Sequence, residues 1–344
     1  MKLLKFKYAC LSLVAFFAVA NAMSTDVLST DSMSPTTTGF SFIDSSGRET
    51  EIPEPFITSC SQMTTPDTNT SPITVTKEIP VPGTDSVIRL THTCRNSKTV
   101  IVLGSLFPDK QDRWKNKVRQ LSPYDVITFD YAWKFASIHP QQNLVSDRYK
   151  DVIAAVEYLR TLEPAYTNII GLGACYSAFT FTAAQADYLS KKSRPLFDKL
   201  IIDSMFDSLL TLALSVAADP SLQCNNDTGC LPDWLKWIFR TLRPDWLLKR
   251  IVPEVSMIPH LQAISDTTPI LFIHGQKDLL IPIERFRFIW NTVHKDKSVA
   301  FVTPYSHVRN MRYNWNVYKA VCDCFINAPQ GTEKIALKQL LQLQ

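Results

Sequence analysis

The stretch NIIGLGACYSAF, residues 168–179, decides the reading of this chain. It opens as a short, continuously apolar run of buried-strand character and meets two glycines, Gly171 and Gly173. The chain then resumes as AFTFTAAQADYL, residues 178–189, which reads as a helix. Cys175 stands at the apex of the turn between them. A sharp strand-to-helix turn needs small residues two before and two after its apex, because strand and helix approach closely there. Gly173 meets that need fully and Ser177 approximately.

Working outward, strands and helices alternate. ITVTKEIPV and SVIRLTHTC flank Pro82-Gly83 and predict an antiparallel hairpin. TVIVL, DVITFD, TNIIGL, KLIID, PILFIH and VAFVTP read as strands, and QDRWKNKVRQL (111–121) and SDRYKDVIAAVEYLRTL (146–162) as helices. Such alternation implies an α/β fold, a mostly parallel sheet with helices on both faces. The pattern lapses over about 208–260, an insertion with Trp234, Trp237, Phe239 and Trp246, read as a helical cap. There are nine glycines, few beside an average of roughly 7%. Four of them, Gly104, Gly171, Gly173 and Gly275, fall at or just beyond the carboxyl ends of predicted strands. Ligands bind outside those ends in open parallel sheets.

Residues 1–22 read as a signal peptide: Lys2, Lys5 and Lys7 precede an apolar run from Ala9 to Ala20, and Ala20-Asn21-Ala22 predicts cleavage after Ala22. The run is short of the roughly 20 apolar residues of a membrane span, so a secreted or periplasmic protein without a membrane anchor is expected. Residues 23–71 are rich in Ser, Thr, Asp and Pro and read as a flexible leader; 72–330 form the α/β domain, and 331–344 a C-terminal helix docked on the sheet. A formal net charge of +4 with scattered basic residues excludes a nucleic-acid face. The residues leave the oligomeric state open.

Cleavage would remove Cys10 and leave seven cysteines. In an exported chain six can pair and leave one thiol, and Cys175 is the one inside the turn. Cys224 and Cys230 bracket a short loop suited to a bridge; the pairing of Cys60, Cys94, Cys322 and Cys324 stays open. No CxxC pair or nearby histidine cluster accompanies them, so the spacings predict no metal site.

Two further segments complete the pattern. PILFIHGQKDLLIP places Asp278 in a loop after a strand, and VAFVTPYSHVRN places His307 in a loop after the next. The order nucleophile, acid, histidine and the strand-HGxxD segment resemble the α/β-hydrolase superfamily over roughly Ile73 to Ala328, and cysteine at the elbow resembles its dienelactone hydrolase branch. The sequence departs from that pattern at Ser177, where glycine is usual, and at Leu103-Gly104-Ser105, where many members carry histidine before glycine. The resemblance implies an α/β-hydrolase fold and a hydrolase of ester, thioester or lactone bonds in a small-molecule or acyl substrate. Cys175 would be the nucleophile, His307 its base and Asp278 the group orienting the histidine, with no metal and no organic cofactor. The backbone N–H of Tyr176, and one from Ser105 or Leu106, would hold the oxyanion.

Each role has a plainer competitor. Asp278 can cap a turn, His307 can be an incidental loop residue, and a cysteine after a strand is often structural. Asp203 is a reserve acid, Asp130-Tyr131 a structural loop start, and His274 a support for the acid loop. Ser177 would sit inside the helix and not act as nucleophile. The alternative functions are a catalytically weak or inactive hydrolase-fold binding protein and a redox or structural role with Cys175 bridged; the state of that thiol separates them.

Overall fold

A computed structural model describes residues 40–43, 48–52, 72–104, 123–131, 148–162, 165–208, 210–212, 256–293, 295–307 and 314–341. The predicted signal peptide, the helix at 111–121, Ser105 and Leu106, Cys60, and most of the cap with Cys224 and Cys230 lie outside these residues.

The described strands are β1 (Ser41–Ile43), β2 (Glu49–Glu51), β3 (Ile73–Pro80), β4 (Val87–Cys94), β5 (Thr99–Leu103), β6 (Asp125–Asp130), β7 (Asn168–Ala174), β8 (Lys199–Asp203), β9 (Ile270–Gly275) and β10 (Ser298–Thr303). They form one sheet in the order β2-β1-β10-β9-β8-β7-β5-β6-β4-β3. From β10 to β6 all neighbours are parallel, and the hairpin β3–β4 adds antiparallel to β6. β8, β9 and β10 are buried along their whole length, as expected of strands covered on both faces.

The described helices are α1 (Tyr149–Leu159), α2 (Tyr176–Lys192), α3 (Ile258–Ile264), α4 (Ile283–Thr292), α5 (Trp315–Asn327) and α6 (Glu333–Leu340). α1 to α4 pack into one apolar cluster with side chains such as Val100, Val102, Leu200 and Phe272. α5 and α6 pack into a second with Ile101, Leu103, Ile201 and Phe301. Consecutive strand residues alternate between the two, which is the period-2 geometry of a pleated sheet. The insertion leaves and returns at one place: Ser208 bridges Ser256, and Met257 N–H donates to the Asp207 carbonyl at 2.8 Å.

Two expectations need correction. Within the 23–71 leader, Ser41–Ile43 is a buried strand beside β10, with Phe40 stacked on Phe301 at 5.8 Å, and Glu49–Glu51 extends it. A three-residue strand is too short to show periodicity; its partner lies over 250 residues away in sequence. The C-terminal helix docks as expected: it packs on α5, shares an apolar cluster with strand residues through Leu337, and pairs with Lys199 of β8 through Glu333. Finally, Cys94, Cys322 and Cys324 are free thiols, so the scheme of six bridged cysteines does not hold. Cys322 and Cys324 are two apart on α5, a spacing that points side chains to different sides of a helix and cannot form a bridge.

Lys199 ties the C-terminus down. Buried at the start of β8, it donates to the carbonyls of Phe325, Ile326 and Ala328, which end α5, and pairs with the buried Glu333 of α6 at 3.1 Å. Replacing it by methionine keeps the stem but leaves the carboxylate uncompensated. We expect Lys199→Met to lower unfolding free energy by about 3 kcal/mol, read from urea denaturation followed by circular dichroism.

Candidate active site

The site begins with a steric demand. A Cβ on Gly173 would lie 2.7 Å from both the Cα and the backbone nitrogen of Ala178, so β7 and the first turn of α2 can approach this closely only through glycine. The connection between them is a single residue, Cys175, at φ 50°, ψ −111°. A non-glycine residue in such a region costs about 1–3 kcal/mol and persists where its surroundings enforce it. Here the Cys175 N–H donates to the Asp203 carbonyl at 2.9 Å. Ser177 clamps the turn from the helix side, its Oγ donating to the Ala174 carbonyl at 2.9 Å while accepting from the Ala174 N–H at 2.8 Å. Its departure from glycine therefore has a structural use, and its hydroxyl is engaged.

The acid and histidine loops are joined to each other. Beyond β9, Gln276 N–H donates to the Thr303 carbonyl at 2.6 Å and Lys277 N–H to the Tyr305 carbonyl at 3.0 Å. A Cβ on Gly275 would collide with that same Tyr305 oxygen. Asp278 is buried, and its Oδ1 accepts from the backbone N–H groups of Leu280 (3.0 Å) and Ile281 (2.8 Å). Its Oδ2 is left for His307 Nδ1, at 2.7 Å. His274 anchors the far side of this loop: its Nε2 donates to the Ile281 carbonyl at 2.9 Å and its ring stacks on Phe286 at 4.7 Å. Burial lowers the His274 pKa, so the ring stays neutral, consistent with a buried Nδ1 that meets no hydrogen-bond donor among the described residues.

Burial also opposes charge on His307, but the Asp278 carboxylate and then the Cys175 sulfur outweigh it and hold the imidazole pKa well above the ordinary value. The ring keeps 18% of its side-chain surface exposed, while its Nε2 is buried and makes no hydrogen bond of full distance and angle. Cys175 nevertheless acts on the ring both as a charge and as a weak hydrogen-bond partner. Cys175 is thus close enough to act on the ring, and with Nδ1 bonded to Asp278 the nitrogen left for it is Nε2.

The structure brings Cys175, His307 and Asp278 together, and Cys175 is a free thiol. Tyr176 opens α2, so its backbone N–H is in the first turn, where the helix dipole favours negative charge. Ser105 and Leu106 lie outside the described residues, next to Gly104. Asp203, the reserve acid, accepts from Ser204 Oγ at 2.9 Å and acts on Tyr318 and Cys322 of α5. It is Asp278 that bonds the histidine. Tyr131 bonds Thr180 of α2 through its hydroxyl, in keeping with a structural loop start. Sequence reasoning did not single out Thr303 and Tyr305, whose carbonyls position the acid loop; the glycine at 275 was the available signal.

No protein-family model and no curated protein matches the sequence. Among solved structures, an esterase of Pyrococcus furiosus superposes with TM-score 0.56 at 19% identity, covering 74% of this chain and 90% of that one. Proline iminopeptidase of Mycobacterium smegmatis superposes with TM-score 0.50 at 15% identity, covering 78% and 100%. The chain has the α/β-hydrolase fold.

Because the folded-state pKa of His307 is raised, its contribution to stability is fully present below the unfolded value of about 6.5 and is lost as pH rises through the folded value. Asp278→Asn removes the largest raising charge and leaves burial dominant. The His307 ring titration, followed by NMR, is expected to move to lower pH in that variant, and this pH-dependent stability to shrink.

Proposed function

We propose that this chain is an exported hydrolase that cleaves carboxylic ester, thioester or lactone bonds through Cys175, His307 and Asp278. One observation carries the reading: a free thiol at a strained elbow acts on a histidine whose Nδ1 is bonded at 2.7 Å to a buried carboxylate. The esterase of Pyrococcus furiosus among the structural neighbours supports the ester-type bond, and the apolar, lysine-flanked residues 1–22 support export. The cysteine elbow supports kinship with the dienelactone hydrolase branch.

His307 takes the thiol proton and the thiolate attacks the substrate carbonyl, forming a carbon–sulfur bond. Negative charge on the carbonyl oxygen is met by the Tyr176 N–H and by a second N–H from Ser105 or Leu106. Collapse of this adduct expels the alcohol, thiol or lactone alkoxide, which takes the proton from His307 and leaves a thioester on Cys175. Water, deprotonated by His307, then releases the acid and restores the thiol. Asp278 keeps the Nδ1 proton in place throughout and stabilises the charged ring. A thiol forms the acyl intermediate readily and releases it slowly, so activated substrates suit this site best.

The test is intact-mass spectrometry of the unreduced chain after brief exposure to a short-chain nitrophenyl ester, with the adduct mapped by peptide. We expect one acyl group on the Cys175 peptide, and none in Cys175→Ala, whose stability changes by no more than about 1 kcal/mol. An unmodified Cys175 in the native chain would move the reading to a hydrolase-fold binding protein.

A further inference from the structure

A second group of reactive side chains lies at the other end of the sheet, where β4 finishes and β6 begins. His92 and Cys94 are two apart on β4, so their side chains share one face. β4 runs antiparallel to β6 with His92 opposite Ile127 and Thr93 opposite Val126, which brings Cys94 level with Asp125. His92 Nε2 is 3.4 Å from Asp125 Oδ2, and these two atoms and Cys94 Sγ all lie within 4.8 Å of one another. Bonds of 2.0–2.3 Å to a tetrahedral metal place ligand atoms about 3.3–3.8 Å apart, so a rotation of the cysteine side chain would close the set.

The carboxylate is already oriented. Its Oδ1 accepts from the backbone N–H groups of Arg95 (2.7 Å) and Ser97 (3.0 Å), and the Tyr166 hydroxyl donates to Oδ2 at 2.6 Å while lying 2.8 Å from His92 Nε2. Supporting bonds of this kind fix ligating carboxylates in metal sites. His92 and Cys94 are partly accessible, and the cysteine sulfur otherwise makes a long 3.7 Å contact with Asn96 Oδ1.

We propose that His92, Cys94 and Asp125 bind a zinc ion, with water in the fourth position and Tyr166 supporting the carboxylate. Imidazole nitrogen, thiolate sulfur and carboxylate oxygen together suit a borderline-soft divalent ion. Binding releases the Cys94 thiol proton to solvent, moves the imidazole proton of His92 from Nε2, which donates to the Tyr166 oxygen, to Nδ1 so that Nε2 can ligate, and changes no oxidation state. The group is at the amino ends of the parallel strands, whereas Cys175 and His307 follow carboxyl ends, so the ion would stabilise the β4–β6 edge and take no part in acyl transfer.

The reduced full chain is titrated with zinc against a chromophoric chelator, and with cobalt(II) as a spectroscopic substitute. One equivalent is expected to bind, with affinity falling at least about 100-fold in His92→Gln and in Cys94→Ser and unchanged in Cys324→Ser. The cobalt complex of the native chain is expected to show thiolate charge-transfer absorption, a readout that does not depend on any variant folding. Zinc at 100 times its Kd would raise the folded-to-unfolded ratio about 100-fold. The proposal is overturned if no zinc binds, if both variants bind as the native chain does, or if the cobalt spectrum lacks the thiolate band; the cluster is then a hydrogen-bonded one only. Acylation of Cys175 reads the hydrolase proposal separately.

Discussion

Backbone meets backbone at Gly173, and the geometry of the site follows from that approach. A methyl group there would sit 2.7 Å from Ala178, so any side chain would push α2 away from β7. With the two elements pressed together, one residue must complete the turn, and Cys175 does so at positive φ. The strain in that residue is held by bonds on both sides, from the Asp203 carbonyl on β8 and from the Ser177 hydroxyl on α2. The sulfur is thereby carried between two rigid elements, with the Tyr176 N–H in the first turn of α2 directly after it.

The second half of the site depends on a different device. Asp278 and His307 sit on loops after neighbouring parallel strands, and loops alone would hold them poorly. Backbone bonds from Gln276 to Thr303 and from Lys277 to Tyr305 join the two loops into one unit. Two backbone N–H groups occupy one oxygen of Asp278 and leave the other for the imidazole. His274, neutral and stacked on Phe286, closes the far side. The raised pKa of His307 results: burial resists the charge, but a fixed carboxylate and a nearby sulfur favour it more strongly.

Much of this was legible in the residues. Apolar runs such as Thr99–Leu103 and Ile270–Gly275 announce strands covered on both faces, since each is buried throughout or nearly so. The glycine at 173, the HGxxD segment and the order of Cys175, Asp278 and His307 located the site because tight turns and catalytic loops require particular residue types at short spacing. What was not legible depended on distant partners. Ser41–Ile43 carries no periodic signal and becomes a strand through β10. A count of cysteines suggested bridges, yet Cys94, Cys322 and Cys324 are free.

The sequence by itself determined the alternation of strands and helices, the elbow and the three side chains proposed to react, because each is written in local spacing and residue type. Only the tertiary structure decided that Asp278 and not Asp203 bonds the histidine, since one acid ends a strand, the other follows one, and only packing sets their directions. It also decided that His92, Cys94, Asp125 and Tyr166 meet, though they span more than seventy residues. Antiparallel pairing of β4 with β6 places those side chains on one face, and strand register is a property of the sheet, not of either strand alone.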